Sequence, residues 1–92
     1  MINAMIIDEL DNVGVVIYPI KKGDTISYVM ANQQTAEIQA VDDIKIYHKF
    51  AIRDIVKGAP VVKYGQHIGS AGIDIKQGQH VHIHNVESVR EL

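Results

Sequence analysis

Short apolar runs separated by glycine, proline and polar residues recur along the whole chain. No segment keeps the i, i+3, i+4, i+7 apolar spacing over the roughly ten residues that a confidently assigned helix needs. Six segments are instead enriched in Val, Ile or Tyr, a composition typical of β-strands. These predicted strands cover residues 13–18, 25–30, 36–40, 43–47, 61–64 and 80–85. The pattern therefore predicts an all-β fold.

Two of the connections between these segments have recognisable turn chemistry. Asn32 and Gln33 separate the second and third predicted strands, and we predict that they form the turn of a hairpin. Residues 51–56 are predicted to form a short helical turn, because Asp54 and Lys57 precede Gly58 in a pattern typical of a helix C-terminus. The predicted fold class is thus mainly β with short helical turns.

An eight-residue pattern occurs three times, at residues 19–26, 54–61 and 74–81. It consists of Asp or Pro, then Ile, two residues, Gly, two residues, and Val or Ile. We interpret each copy as a turn with a buried Ile, a glycine free to adopt positive φ, and a return into a strand. The copies begin 35 and 20 residues apart, which is too uneven for a solenoid. A compact, coiled small β-barrel or clip is the architecture that this repetition favours.

The composition is that of one globular domain, which we assign to residues 1–92. With 47% hydrophobic and 22% charged residues, the chain is too apolar and too weakly charged to be disordered. The net charge is -2 and the basic residues are scattered, which argues against a nucleic-acid partner. Because cysteine is absent, disulfides, thiol nucleophiles and Cys-ligated metal sites are excluded.

The chain is expected to be cytoplasmic and to have no membrane partner. The first ten residues contain Asp8 and Glu9 and no basic residue before a long apolar run, unlike a signal peptide. No apolar stretch approaches the roughly 20 residues that cross a bilayer. A chain of this size builds only one modest core, so we do not expect a large enzyme pocket within it.

Three of the five histidines lie in the last predicted strand, where His80, His82 and His84 would share one face and Val81 and Ile83 would face the core. Neighbouring rings would lie about 6.6–7 Å apart along the strand and the outer two about 13 Å apart. One adjacent pair could therefore hold a metal ion together with a ligand from elsewhere. Imidazole suits zinc, iron, nickel and copper alike.

The alternative interpretation of this segment is a solvated face of an edge strand, and we favour it for His80. His48 could likewise be an ordinary surface or capping histidine, and His67 is expected to be exposed and without a role. Lys49, Lys63 and Arg53 could bind a carboxylate, although single basic residues usually lie on the solvated surface.

Other catalytic patterns have no support in the sequence. It contains no Ser/His/Asp order or nucleophile elbow for acyl transfer, and no Gly-Lys-Ser/Thr that would complete a phosphate loop. Asp11-Asn12, directly before the first predicted strand, is interpreted as a cap of a turn. The histidines are therefore the main candidates for a functional site in the sequence.

Several motifs together resemble a known family. Asp11-Asn12-Val13 looks like its opening motif and His48-Lys49-Phe50-Ala51 like its His-Lys segment. The other matching positions are Asp54-Ile55, Gly58, Val62-Lys63-Tyr64-Gly65, Ile68-Gly69, Ala71, Asp74-Ile75, Gly78 and Val81-His82-Ile83-His84-Asn85. In this order they resemble the small SAF-type, antifreeze-like domain of the altronate/galactarate dehydratase family. The sequence departs from the family pattern at Tyr47, where glycine is expected, and at Gly72, where threonine is common.

The resemblance implies a β-clip fold and a part in a lyase. In this family the small domain is the N-terminal domain of a sugar-acid dehydratase, or a separate small subunit, including that of sulfolactate sulfo-lyase. The partner would be a large catalytic subunit or a C-terminal catalytic domain. The reaction would be elimination of water or sulfite from a 2-hydroxy acid, with a divalent metal, iron or alternatively manganese.

Roles for individual residues follow from the same resemblance. It implies His82 and His84 as metal ligands or substrate contacts, and His48 as a third contact or a catalytic residue for proton transfer. Lys49, Lys63 and Asn85 would hold oxygens of the sugar-acid or sulfo-acid substrate. We expect the isolated chain to bind metal weakly and to be inactive. The alternative function is a non-catalytic β-clip module that binds a carbohydrate or another small ligand.

Overall fold

Nine short strands make up the computed structural model, which describes residues 1–30 and 32–88. Within these residues there is no helix, so the predicted all-β class is confirmed. The strands are β1 (Ala4–Met5), β2 (Val13–Val16), β3 (Thr25–Val29), β4 (Thr35–Gln39), β5 (Lys49–Ala51), β6 (Pro60–Lys63), β7 (Gln66–Ala71), β8 (His80–Val81) and β9 (Val86–Ser88). Over the same residues, no helix that could cross a membrane is found.

The strands form two sheets with a hydrophobic cluster associated with each half of the molecule. The larger sheet has the order β4-β3-β1-β2-β5-β8, and the smaller has the order β6-β7-β9. All pairs are antiparallel except β1 with β3. One cluster surrounds Phe50 and Tyr28, and the other surrounds Val61 and Val81. Strand β5 contributes to both, because Phe50 belongs to the first and the next residue, Ala51, to the second.

The repeated sequence pattern forms the same turn four times, not three. Each turn contains a buried isoleucine, and these pair as two isolated antiparallel bridges, Ile20 with Ile44 and Ile55 with Ile75. The fourth copy, at residues 43–50, is hidden in the sequence because Tyr47 occupies the glycine position. Its φ is 68°, close to the values of 93°, 85° and 84° at Gly23, Gly58 and Gly78. The four positive-φ residues donate their N–H groups to the carbonyls of Ala40, Val16, Ala71 and Ala51 in chain order.

Aspartate side chains connect the turns within each pair. Asp43 accepts the N–H of Lys22, Asp74 that of Lys57, and Asp54 that of Gln77, each at 2.8 Å. In the first copy, Pro19 replaces this aspartate. The Asp-or-Pro position of the pattern is thus a cap for the opposite turn, which satisfies backbone donors that the bridges leave free.

Three of the local predictions need correction. The strand predicted at 43–47 is wrong, because this segment is one of the four turns and only Ile44 forms a bridge. The helical turn predicted at 51–56 is also wrong, since Ala51 ends β5 and Ile55 belongs to a bridge. The strand predicted at 80–85 ends at Val81. The hairpin is confirmed: β3 and β4 pair around a turn in which Gln33 has φ 73°.

Asp11 and Asn12 tie the loop before β2 to the β6–β7 hairpin. The Asp11 side chain is only 1% exposed. Its Oδ2 accepts the N–H groups of Ile7 and Asp8 at 3.1 and 3.0 Å, and its Oδ1 accepts that of Gly65 at 2.8 Å. Asn12 accepts the N–H of Val62. Burial alone would raise the pKa of Asp11, but these backbone donors, Gly65 foremost, hold it below its ordinary value.

We expect Asp11→Asn to destabilise the chain by about 1–3 kcal/mol at neutral pH, because an amide cannot accept all three N–H donors. The pKa of Asp11 is lower in the folded than in the unfolded state, so its stabilising contribution is present above the unfolded pKa and is lost as the pH falls through the folded pKa. The difference in urea unfolding between the wild type and the variant should therefore persist down to about pH 4 and shrink only as the pH falls further, below the ordinary pKa of Asp. Asp43→Asn, an exposed cap with one N–H donor, is the control; equal curves for Asp11→Asn and wild type at pH 6 would contradict the argument.

Candidate functional site

Four histidines meet where β5 and β8 pair at the edge of the larger sheet. His48 directly precedes β5, and His80 begins β8 and lies opposite Phe50 in the antiparallel register. The ring of His48 stacks on those of His80 and His82, with centroids 5.1 and 4.4 Å apart. His80 and His82 stack at 5.6 Å, with their planes within 13°. Two segments that are far apart in the sequence thus bring their imidazole rings together in one stack.

The geometry of three of these rings suits one metal ion. Nδ1 of His48 and Nε2 of His80 are 3.0 Å apart, and one ligand atom from each of His48, His80 and His82 lies within 4.8 Å of the others. Metal–nitrogen bonds are about 2.0–2.1 Å, so two nitrogens on one ion lie about 3 Å apart. All three side chains are half-buried, which leaves an open side for further ligands. Three imidazoles with open positions are a donor set that occurs in catalytic metal sites, so these three side chains could hold an ion.

Asn85 builds the turn that brings His82 into the stack. Its side chain is 1% exposed. Oδ1 accepts the N–H of His82 at 2.9 Å, and Nδ2 donates to the carbonyl of His80 at 2.8 Å. The Asn85 N–H also donates to the carbonyl of His82. Asparagine side chains commonly stabilise turns by such bonds, and this one reverses the chain directly after β8.

The turn changes the positions that an extended strand would impose. Val81 is buried as predicted, but Ile83 is 84% exposed, so its predicted place in the core is wrong. The rings of His80 and His84, which would lie about 13 Å apart along a strand, have centroids 5.1 Å apart. His80, for which the sequence favoured a surface role, therefore lies at the centre of the cluster.

The predicted site residues are placed as follows. His48 and His82 belong to the group of three, whereas His84 is exposed beside it. Both polar ends of the Asn85 side chain are hydrogen-bonded within the turn, so a direct substrate contact would require it to leave that turn. His67 is exposed in β7, as expected. The signal that could have found the turn is Asn85 itself, a turn-forming residue directly after the last histidine.

Lys49 lies on the flank of the cluster, where its positive charge acts on His82. Burial, followed by the positive charge of Lys63, lowers the pKa of Lys49. The ammonium of Lys63 lies 4.8 Å from the centre of the Tyr64 ring. Arg53 is elsewhere: it donates to the carbonyl of Asp11 and lines a cleft of about 250 Å³ that none of the histidines lines.

Burial and neighbouring charges lower the pKa of two histidines of the cluster, His80 and His82. Burial, and then the other three histidines, lower the pKa of His80, and the nearby Asp42 opposes this only in part. Asp42 also accepts the N–H of His80 at 2.9 Å. The pKa of His82 is lowered by burial, by His48 and by Lys49 in that order. Since only a neutral imidazole binds a metal ion, these shifts favour metal binding at neutral pH.

Comparison with known proteins gives consistent matches over most of the chain. The family model of the altronate/galactarate dehydratase SAF domain matches residues 2–89. The chain is 38% identical over 91 residues to (2R)-sulfolactate sulfo-lyase subunit alpha of Chromohalobacter salexigens, covering 97% of both chains. It is 43% identical over 82 residues to altronate dehydratase of Escherichia coli, covering 89% of this chain and 16% of that enzyme. The altronate dehydratase of Bacillus subtilis is 37% identical over the same length.

Proposed function

The chain belongs to the altronate/galactarate dehydratase SAF-domain family, and from this premise we propose that it contributes its histidine cluster to the active site of a lyase. The family assignment agrees with the resemblance drawn from the sequence. In this proposal the chain acts as a small subunit or an N-terminal domain beside a larger catalytic part. The observation that carries the proposal is the convergence of His48, His80 and His82 on one half-open point.

The ligands of a divalent ion, for which we propose Fe²⁺, would be His48, His80 and His82. Bound there, such an ion would polarise the oxygens of a 2-hydroxy acid and stabilise the negative charge that develops as the α-proton leaves. The chain supports this by holding His80 and His82 in place through Asn85 and Asp42. His84 is exposed beside the group, with its ring 5.1 Å from that of His80, and we assign it to substrate contact.

The lysines indicate the charge of the substrate. Two ammonium groups that lower each other's proton affinity are relieved when an anion lies between them. The positive charge of Lys63 lowers the pKa of Lys49, and Lys49 in turn acts on His82, so we propose that the two lysines bind a carboxylate or sulfonate group. The proposed substrates are therefore acidic: sugar acids such as altronate or galactarate, or sulfolactate. The eliminated group would be water in the first case and sulfite in the second.

A reconstitution assay tests this function. The 92-residue chain and the large catalytic chain from the same cell are purified separately, loaded with Fe²⁺, and assayed alone and mixed with altronate, galactarate and sulfolactate. We expect turnover of one of these acids only in the mixture, because the proposed site is completed by both chains. Full activity of the large chain alone would reject the proposal and favour the non-catalytic binding module. Full activity of the small chain alone would reject the shared site.

A further inference from the structure

The turn next to the histidine cluster carries an unusual residue. Of the four equivalent turns, three place glycine at the positive-φ position, and the fourth places Tyr47 there with φ 68°. In this conformation the Cβ of an L-residue crowds the following carbonyl oxygen, and bulky residues rarely adopt it. Tyr47 thus introduces a local strain that glycine would avoid.

The bridge of Ile44 with Ile20 and the hydrogen bond from the Tyr47 N–H to Val16 hold the backbone in this conformation, but glycine would form both, so they do not explain the tyrosine side chain. The Tyr47 side chain is 71% exposed. Over residues 1–30 and 32–88, it forms no side-chain hydrogen bond, and its ring stacks on no other aromatic ring. Strained residues persist where they serve a function, so the tyrosine points to a contact outside the chain.

The turn that Asn85 stabilises after β8 also exposes an apolar residue, Ile83. Apart from the terminal Met1, Ile83 and Tyr47 are the most exposed large apolar side chains of the described residues. Tyr47 precedes His48, and Ile83 lies between His82 and His84. Exposed aromatic and aliphatic residues around a polar site are typical of the centre of a protein interface.

We propose, resting on the function proposed above, that Tyr47 and Ile83 anchor this chain to the large catalytic chain of its family and so cover the histidine cluster. One relative bears the name of a subunit, and the chain matches only 16% of the altronate dehydratases, which leaves a large polypeptide available as the occupant. Lys45 is exposed and its positive charge acts on His82, so the surface of the large chain that faces it should carry an acidic group. Docking there would also exclude water from the metal ligands.

The test is a titration of the purified large catalytic chain against variants of the full small chain. Tyr47→Gly should raise the melting temperature of the small chain by roughly 2–6 °C, since relief of strain outweighs the added flexibility of the unfolded chain. The same variant should weaken binding of the large chain at least about tenfold, because it removes an interface anchor. Tyr47→Ala and Ile83→Ser should weaken binding equally without the gain in stability.

Two control variants separate the effect on the stability of the small chain from the effect on its binding to the large chain. Gln33→Gly relieves a positive φ of 73° in the β3–β4 hairpin, away from the histidines, and should stabilise without affecting binding. Val56→Ser removes an exposed apolar side chain from an equivalent turn and should change neither. All variants should bind Co²⁺, used as a spectroscopic probe, as the wild type does.

The role of Tyr47 and Ile83 as anchors can fail without failure of the shared active site. Unchanged binding of the large chain by Tyr47→Ala and Ile83→Ser would overturn the anchor while leaving the shared active site intact. Failure of the wild-type chain to bind the large chain would overturn both. A melting temperature of Tyr47→Gly at or below that of the wild type would remove the strain argument and, with it, the inference.

Discussion

Replacing His82 with glutamine is expected to abolish metal binding by the chain and to lower turnover of the assembled enzyme about a thousandfold. The physical reason is that the group of His48, His80 and His82 would lose one of its three nitrogen ligands, while glutamine offers a weaker oxygen or amide donor. A metal ion supplies several kcal/mol of transition-state stabilisation, and each 1.36 kcal/mol corresponds to about a tenfold change in rate. The variant should fold normally, because the His82 side chain is half-exposed.

His84→Gln is the matched control for this prediction, since it changes an exposed histidine in the same turn. We expect it to retain metal binding and to lower turnover less than His82→Gln does. Anaerobic titration with Fe²⁺ or Co²⁺ measures binding, and circular dichroism checks the fold. The double variant His82→Gln/His84→Gln should be no more impaired in metal binding than His82→Gln alone. Unimpaired turnover by assembled His82→Gln would show that the catalytic metal lies wholly in the large chain.

Gly78→Ala is expected to have the largest effect on stability of any single methyl addition considered in the four turns. A Cβ at Gly78 would lie 2.1 Å from the carbonyl oxygen of Gln39, a backbone atom that cannot rotate away. The residue also has φ 84°, where a side chain is strained. Overpacking and the positive φ together should destabilise the chain by about 3 kcal/mol or more. A 92-residue domain has a total stability of about 5–14 kcal/mol, so this is a large fraction.

Gly23→Ala provides the control for the backbone contribution alone. Gly23 has φ 93° in an equivalent turn, but nothing lies within 4 Å of an added Cβ. This variant should lose only about 1–2 kcal/mol. Urea unfolding of the two variants measures the difference, which reports the close approach at Gly78. Because Gly78 lies two residues before His80, Gly78→Ala should also weaken metal binding. Equal stabilities of the two variants would contradict the packing argument.

The elements that the sequence predicted well are those with local signals. Strands β2, β3, β4 and β6 are rich in Val and Ile or alternate in polarity, and Asn32 in the β3–β4 turn accepts the N–H of Gln34, as turn-forming residues do. Strand β7 was missed because its sequence, QHIGSA, has a weak apolar signal and gains its place by pairing with β6 and β9. The prediction of a helical turn at 51–56 was wrong because a local signal was misleading there. The sequence has the pattern of a helix C-terminus, but β5 and Ile55 pair with residues that are distant in the sequence.

The fourth turn shows the limit of pattern matching. Its aspartate, isoleucine and strand return are present in the sequence, but Tyr47 replaces the glycine by which the other copies were recognised. The backbone nevertheless adopts the same conformation, because the bridge of Ile44 with Ile20 and the hydrogen bond from the Tyr47 N–H to Val16 are formed by distant residues. Tertiary pairing thus imposes a conformation that the local sequence disfavours.

The sequence by itself determined the all-β class, the family and the presence of a histidine-rich segment, since composition, spacing and ordered motifs are local properties. Only the tertiary structure decided which histidines meet. A period of two predicts three rings on one strand face, whereas Asn85 turns the chain after Val81 and the β5–β8 pairing places His48 beside His80. The group of His48, His80 and His82 therefore combines positions 32 residues apart, and their meeting depends on long-range strand pairing, which periodicity along one segment does not encode.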